Sequence, residues 1–171
     1  RMETFVRGRT VEAIMDANRK VDRALKAGAL AVGAKVTIQT LPGYLPLNQD
    51  KDLAAVFEAN SVALVGRENV GFAGHRTGST DMGDVSHLMP AIHPYVGGAT
   101  GLGHGANYLV EDYNLSVVIA AKALAGTVVD LLADGAARAG DIIAGHRPEM
   151  TRDQYLAFMR KLASEETFDG V

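Results

Sequence analysis

One nearly uninterrupted apolar stretch constrains the fold of this chain more than any other feature. It runs from Tyr113 to Leu132, YNLSVVIAAKALAGTVVDLL, and carries charge only at Lys122 and Asp130. A membrane-spanning helix needs about 20 consecutive apolar residues. The two charges count against such a span, and the sequence therefore predicts a buried core helix.

Composition narrows the possible partners and the cellular location. The 171 residues carry a formal net charge of -3, with 17 basic and 20 acidic side chains mixed along the chain. No basic stripe suited to phosphates is present, so nucleic acid is not an expected partner. The absence of cysteine removes disulfides and thiolate metal sites and fits a reducing compartment. No apolar signal segment follows the first residues, and we expect a cytoplasmic protein without a membrane partner.

The first 44 residues have the pattern of a strand, a helix and a second strand. Residues 2–7 alternate in polarity, as a half-buried strand does. Thr10 precedes apolar residues at helical spacing and is a typical helix cap, whereas Gly33 is a typical helix stop. Residues 35–41 alternate again. This unit is half of a ferredoxin-like domain, and half a sheet has exposed edges that need a partner.

A turn-rich connection follows this unit. Prolines and a glycine interrupt the pattern between residues 42 and 46, and a new helical pattern begins around Leu53. We therefore place a domain boundary near residues 44–48, which divides the chain into 1–44 and 45–171.

Near the end of the chain, Thr151 and Gln154 form a capping-box pattern before an amphipathic helix. The adjacent Glu165 and Glu166 follow that helix and are interpreted as a solvated face.

Potential chemical groups are concentrated in the glycine-rich segment from Gly78 to Tyr108. Polar side chains on loops between buried elements commonly form sites. The candidates in this segment are His87, His93, His104, Asp81 and Asp84.

His104 is the strongest of these candidates. It lies between Gly103 and Gly105, where the missing side chains let a ligand approach the backbone closely. A neutral imidazole in that position can bind zinc through one nitrogen while an acceptor fixes the other. The alternative is a flexible glycine loop with an incidental histidine.

The other candidates also have structural interpretations. Asp81 and Asp84 are either a metal ligand and the group that orients it, or turn residues that bond their own backbone. We expect His93 to be a buried histidine bonded to a backbone carbonyl, and His87 to be the polar end of a strand. His75 and His146 are interpreted as loop residues without a direct role.

The same glycines partly match a nucleotide-binding fingerprint. Gly101, Gly103 and Ala106 fit G-x-G-x-x-A, which cradles phosphates when it follows a strand and opens a helix. Pro94 interrupts the preceding apolar run, and the core helix takes the place of the required second strand. A nucleotide site is therefore not favoured.

Several segments together resemble one enzyme family. They are FVRGRTVEAIMDANRKV, GAKVTIQTLPGYLPL, GSTDMGDVSHLMPAIHPYVGG, GLGHGANY and AAKALAGTVVDLL, and they occur in the family's order. The arrangement resembles the C-terminal portion of the dinuclear zinc aminoacylases and carboxypeptidase-type metallopeptidases. It is most similar to the amidohydrolases that include aminobenzoyl-glutamate hydrolase and dipeptidase-like members.

The resemblance implies an α/β fold, in which an α+β lid piece precedes an α/β catalytic piece of a two-domain zinc peptidase. Residues 1–44 correspond to the closing strand, helix and strand of the lid, through which the family forms homodimers. Residues 45–171 correspond to the last portion of the catalytic domain. The implied metal ligand is His104, and the implied cofactor is a pair of Zn²⁺ ions, with Mn²⁺ or Co²⁺ accepting the same donors.

Asp81 and its neighbour Asp84 match a polar turn near the family's metal site, which implies that they shape the site. His93 is expected to face the same region, although the motif assigns it no function. The family's other ligands and its general base belong to upstream motifs that these 171 residues lack, so no catalytic residue is assigned. We expect the whole enzyme to hydrolyse an amide bond in N-acyl amino acids or dipeptides, and this chain to be inactive alone. The alternative is a non-catalytic module for dimerisation or binding.

Overall fold

The structure, a computed structural model, describes residues 1–72, 74 and 78–171. The helices are α1 (Val11–Ala31), α2 (Lys51–Val65), α3 (Met82–Ser86), α4 (Ala120–Gly145) and α5 (Arg152–Leu162). The strands are β1 (Lys35–Thr40), β2 (Ala99–Thr100), β3 (Leu109–Val110) and β4 (Ser164–Asp169). A 3₁₀ turn covers Arg67–Asn69, and a π-helical turn, Asn114–Ile119, leads directly into α4. The predicted mixture of helices and strands is confirmed as an α+β arrangement with two small antiparallel sheets.

Backbone contacts divide the described chain into two compact units. The first contains Arg1–Leu47, the described part of 75–88, and Pro148–Val171. The second contains the described part of 48–74 and Met89–Arg147. The division after Leu47 lies at the boundary predicted near residues 44–48. Pro148–Val171, however, belongs to the first unit. The assignment of 1–44 and 45–171 to two domains of a larger fold stays a prediction.

The first unit contains the predicted helix and the strand that follows it. The Thr10 hydroxyl accepts a hydrogen bond from the Ala13 amide at 3.2 Å and so caps α1. The chain leaves the helix through Gly33, whose positive φ of 58° suits a glycine. Strand β1 then pairs with β4 in antiparallel register, from Lys35 opposite Asp169 to Thr40 opposite Ser164.

The prediction of a strand at residues 2–7 is wrong. These residues lack regular structure, and the Phe5 side chain is exposed. A strand needs a neighbour for its backbone hydrogen bonds. Among the described residues, β1 takes its pairing from β4 rather than from the beginning of the chain.

Strand β4 is an element that the sequence did not indicate. Glu165 and Glu166 are exposed, as expected, but they belong to the ladder with β1. Glu166 Oε1 lies 2.6 Å from Lys26 Nζ on α1. Strand β4 is therefore held mainly by backbone hydrogen bonds and surface charges. Such contacts leave no hydrophobic pattern in the sequence from which the strand could be predicted.

Helix α2 packs against α4 in the second unit. Val56 on α2 and Ala123 and Thr127 on α4 are buried at this contact. Gly126 leaves room for the Asn60 side chain, whose Nδ2 donates to Asp130 Oδ2 at 2.7 Å. Small residues on α4 therefore let the two helices approach closely.

The core-helix prediction is correct about the helix but wrong about its burial. Only 11% of the most apolar window of Asn114–Gly145 is buried. By length and composition alone, this stretch is long and apolar enough to cross a membrane. Its regular geometry also breaks at residues 133–136, where the backbone is not helical. One side of α4 contacts α2, and the opposite side is solvent-exposed because no described element covers it.

The C-terminal helix agrees with its sequence pattern. The Thr151 hydroxyl accepts from the Gln154 amide at 3.2 Å, and the Gln154 side chain accepts from the Thr151 amide at 2.8 Å. This reciprocal pair is the predicted capping box.

Candidate functional site

His104 lies at the tip of a short β-hairpin in the second unit. Strands β2 and β3 pair antiparallel, with Ala99 opposite Val110 and Thr100 opposite Leu109. Between the strands, the Gly105 amide donates to the Leu102 carbonyl at 2.7 Å. The imidazole of His104 is exposed at this turn.

The hairpin loop has a defined backbone because glycine and asparagine occupy its tightest points. Gly101 has a φ of 82°, and a Cβ there would overlap the carbonyl of Asn107. The Asn107 side chain also accepts from the Leu102 amide at 3.4 Å. These contacts close the loop on both sides of His104.

The backbone of His104 is itself unusual. Its φ is 63°, in the left-handed region that a residue with a side chain rarely adopts. That conformation costs roughly 1–2 kcal/mol, and such strained residues are concentrated at functional sites. Asp134 and Ala136 also have positive φ, at 49° and 63°, so this conformation alone does not distinguish His104 as a site residue.

His93 belongs to the same unit and is held from its backbone. Its amide donates to Gln49 Oε1 at 2.7 Å, and its ring centroid lies 5.5 Å from that of Tyr95. Ring atom Nδ1 is buried and has no hydrogen-bond partner among the described residues. The expected bond to a backbone carbonyl is therefore not found at Nδ1.

Asp81 and Asp84 lie in the first unit, at the beginning of α3 and within it. Asp81 is exposed, accepts from the Thr80 hydroxyl at 3.2 Å, and offers its carbonyl to the Asp84 amide at 3.0 Å. Asp84 Oδ1 accepts from the Leu45 amide at 2.9 Å. Burial raises the pKa of Tyr155, and the nearby carboxylate of Asp84 raises it further. Asp84 thus supports the packing of its own unit.

His87 also supports the first unit, but not as the end of a strand. It follows the last turn of α3 and is only 4% exposed. Nε2 lies 2.8 Å from the Pro46 carbonyl oxygen, and Nδ1 lies 3.0 Å from Glu149 Oε2. The ring therefore connects three separate segments of the sequence.

The sequence did not indicate a role for His146, and the structure shows one. Its Nδ1 lies 3.0 Å from Asp50 Oδ2, and both side chains are mostly buried. The position of Asp50 immediately before α2 was a readable capping signal. Its pairing with a histidine 96 residues later has no comparable signal in the sequence. His75, the remaining histidine, lies outside the described residues.

These candidates do not form a metal centre by themselves. In residues 1–72, 74 and 78–171, no group of three or more histidine, aspartate or glutamate side chains could hold a metal ion. His104 and His93 belong to one unit, and Asp81 and Asp84 to the other. A pair of zinc ions therefore does not fit the residues described, and one exposed imidazole is at most a single ligand.

Comparison with known proteins found a distant homologue. The chain is 29% identical over 137 residues to Xaa-Arg dipeptidase of Mus musculus, a match that covers 75% of this chain and 32% of that protein. The chain thus spans about a third of the length of this curated relative. No protein-family model and no solved structure matched. The similarity is to a peptidase, and it supports a hydrolase relationship at that level.

Proposed function

We propose that this chain is the C-terminal part of a metal-dependent amidohydrolase that cleaves N-acyl amino acids or dipeptide-like substrates. The observation that carries this proposal is the 137-residue similarity to a dipeptidase. Dipeptides with C-terminal arginine are the first substrates to test because of that relative's name. The proposed location is the cytoplasm, in keeping with the absence of cysteine.

In this proposal His104 is a metal ligand, and the remaining ligands come from polypeptide outside these residues. The imidazole is exposed at the hairpin tip and is therefore accessible to a metal ion held by ligands from elsewhere. Histidine and carboxylate donors suit Zn²⁺, with Mn²⁺ or Co²⁺ as alternatives. His93, in the same unit as His104, is proposed to shape the surroundings of the site, and the same role for Asp81 and Asp84 stays a prediction. Residues 1–44 contribute to a lid through which two copies dimerise, and 45–171 complete the catalytic domain.

The exposed side of α4 also supports an incomplete catalytic unit. Leu124, Val128 and Leu132 project large apolar side chains into solvent. Exposed apolar patches of this kind commonly mark contact surfaces. We attribute this surface to contact with the rest of the catalytic domain.

Activity assays on two proteins test the proposal. The 171-residue chain and the product of the complete reading frame are incubated with Zn²⁺ and with acyl amino acids or dipeptides. We expect hydrolysis by the complete protein and none by the chain alone. Robust hydrolysis by the chain alone would show that its own residues suffice and would overturn the division of the site.

A His104→Ala variant of the complete protein tests the ligand assignment. We expect it to lose bound zinc and activity together, while His75→Ala, a histidine outside the proposed ligand set, retains both. Unchanged zinc content in His104→Ala would refute the assignment.

A non-catalytic dimerisation or binding module is the second candidate. The two-stranded sheet of β1 and β4 supports it, because so small a sheet has edges with which a partner can pair. The upstream coding sequence separates the two candidates. An H-x-D strand and a Glu-Glu pair there would support the hydrolase, and their absence would support the binding module.

A further inference from the structure

The base of the His104 hairpin is fastened to the beginning of the long helix. The Gly98 carbonyl accepts from the amides of Glu111 and Asp112, at 2.9 and 3.0 Å. The Ser116 hydroxyl donates to the Gly97 carbonyl at 2.8 Å. Ser116 is thus a side chain that connects the helix to the strand leading toward His104.

Gly98 makes this attachment possible. Its φ of 97° lies in the region that favours glycine, and a Cβ there would overlap Ser116 Oγ. The same Cβ would also press against the carbonyl of Asp112. The Ser116 hydroxyl therefore occupies the space that a side chain at residue 98 would need.

Ser116 lies in the π-helical turn Asn114–Ile119. Such turns are rare, and they occur frequently at functional sites because they change the direction in which side chains project. Here the Ser116 amide donates to the Asp112 carbonyl at 2.9 Å, and the Ser116 hydroxyl donates to the Gly97 carbonyl. The Leu115 amide donates to Asp112 Oδ1 at 2.9 Å and closes the same corner.

We infer that Ser116 is a positioning residue for His104: its hydroxyl fixes the hairpin on the π-helical turn and so sets where the imidazole is presented. This inference rests on the proposed function for the importance of His104, but its geometry does not. Ser116 acts through the backbone of Gly97 and Gly98 and does not itself contact substrate.

The geometric part is tested by NMR on the 171-residue chain. Ser116→Ala removes the hydroxyl, whereas Ser116→Thr keeps it. We expect amide exchange at Glu111 and Asp112 to accelerate about five- to tenfold in the alanine variant, as for loss of one hydrogen bond. The backbone coupling constant that reports the positive φ of His104 should move toward an averaged value. The threonine variant should restore both.

Two further variants keep this test decisive. Ser61→Ala removes a comparable hydroxyl, which donates to the Phe57 carbonyl at 2.8 Å within α2, and should leave His104 unchanged. Gly98→Ala crowds the Ser116 hydroxyl and also strains the backbone at a φ of 97°, so it should disturb the hairpin at least as much as Ser116→Ala does. Wild-type exchange and coupling in both Ser116→Ala and Gly98→Ala would overturn the inference.

Kinetics of the complete protein test its consequence. A displaced catalytic-site ligand should lower kcat by about 10- to 100-fold, with KM nearly unchanged and recovery in Ser116→Thr. A wild-type kcat in Ser116→Ala would refute the positioning role while leaving the proposed function intact. A complete protein with no hydrolytic activity would instead refute the proposed function, and the NMR result would then decide the geometry alone.

Discussion

The carboxylate of Asp50 joins the beginning of α2 to the end of α4 through His146. Asp50 Oδ1 accepts from the amides of Asp52 and Leu53, at 3.1 and 2.9 Å, and Oδ2 lies 3.0 Å from His146 Nδ1. The side chains of His146 and Asp50 are 14% and 11% exposed. A carboxylate at a helix N-terminus complements the helix dipole. One side chain therefore caps one helix and anchors another.

Replacement of Asp50 should separate its two roles. Asp50→Ala loses the cap and the histidine contact, and we expect a loss of about 2 kcal/mol in the free energy of unfolding. Asp50→Asn keeps a good capping side chain but removes the charge, so it should cost less. Urea denaturation of the two variants measures the difference. Equal losses would show that capping contributes nothing here.

The same carboxylate predicts a dependence of stability on acid pH. Burial acts to raise the pKa of Asp50, but the Leu53 amide, His146 and the Asp52 amide together hold it below its usual value of 3.8. A lowered folded-state pKa stabilises the fold above the unfolded pKa, and this contribution is lost as pH falls through the folded value. The stability gap between wild type and Asp50→Asn should therefore narrow below pH 3.8. Urea midpoints between pH 5 and pH 3 measure that gap, and a constant gap would contradict the prediction.

His87 should be important for stability although it lies outside the proposed site. His87→Ala leaves the Pro46 carbonyl without its donor and opens a cavity, so we expect a loss of about 2–4 kcal/mol. The Glu149 side chain is half exposed, and Glu149→Gln should cost less than about 1 kcal/mol. Thermal unfolding of both variants tests this order. A mild effect of His87→Ala would mean that water replaces its contacts.

Two glycines offer a matched comparison of close packing and helix propensity. A Cβ at Gly83 would overlap the carbonyl oxygen of Leu45, so Gly83→Ala should cost about 2 kcal/mol or more. A Cβ at Gly28, within α1, meets no atom among the described residues. Gly28→Ala should stabilise the helix by about 0.5–1 kcal/mol. Opposite shifts in melting temperature are the expected result, and a neutral Gly83→Ala would contradict the tight contact with Leu45.

The elements that the sequence predicts are those with local signals. Thr10 and Gly33 mark the two ends of α1, and the pair Thr151 and Gln154 marks the beginning of α5. In each case the signal and the atoms it satisfies lie within a few residues. Such contacts can be inferred without knowing the rest of the fold.

The elements that the sequence does not predict depend on distant partners. Strand β4 has little polarity alternation and is formed by its ladder with β1, far earlier in the chain. The contact between Asp50 and His146 likewise joins separate helices. At the candidate site, the glycines around His104 suggested close approach, but they did not indicate its left-handed backbone or the π-helical turn that follows the hairpin. The apolar composition of α4 predicted a buried helix, but the described chain covers only one side of it.

The exposed side of α4 gives the last prediction. Leu124 and Val128 are 51% and 52% exposed, whereas the neighbouring Ala123 is 3% exposed. In the 171-residue chain, Leu124→Glu or Val128→Glu should change the free energy of unfolding by about 0.5 kcal/mol or less. Either substitution should reduce self-association, measured by static light scattering, because it adds charge to an apolar surface. Ala123→Glu should destabilise the chain strongly because it places a carboxylate against α2 without a partner.

In the complete protein, Leu124→Glu and Val128→Glu should also be destabilising, since we propose that this surface is covered there. A large loss of stability for Leu124→Glu in the isolated chain would show that other residues of the chain already cover this surface.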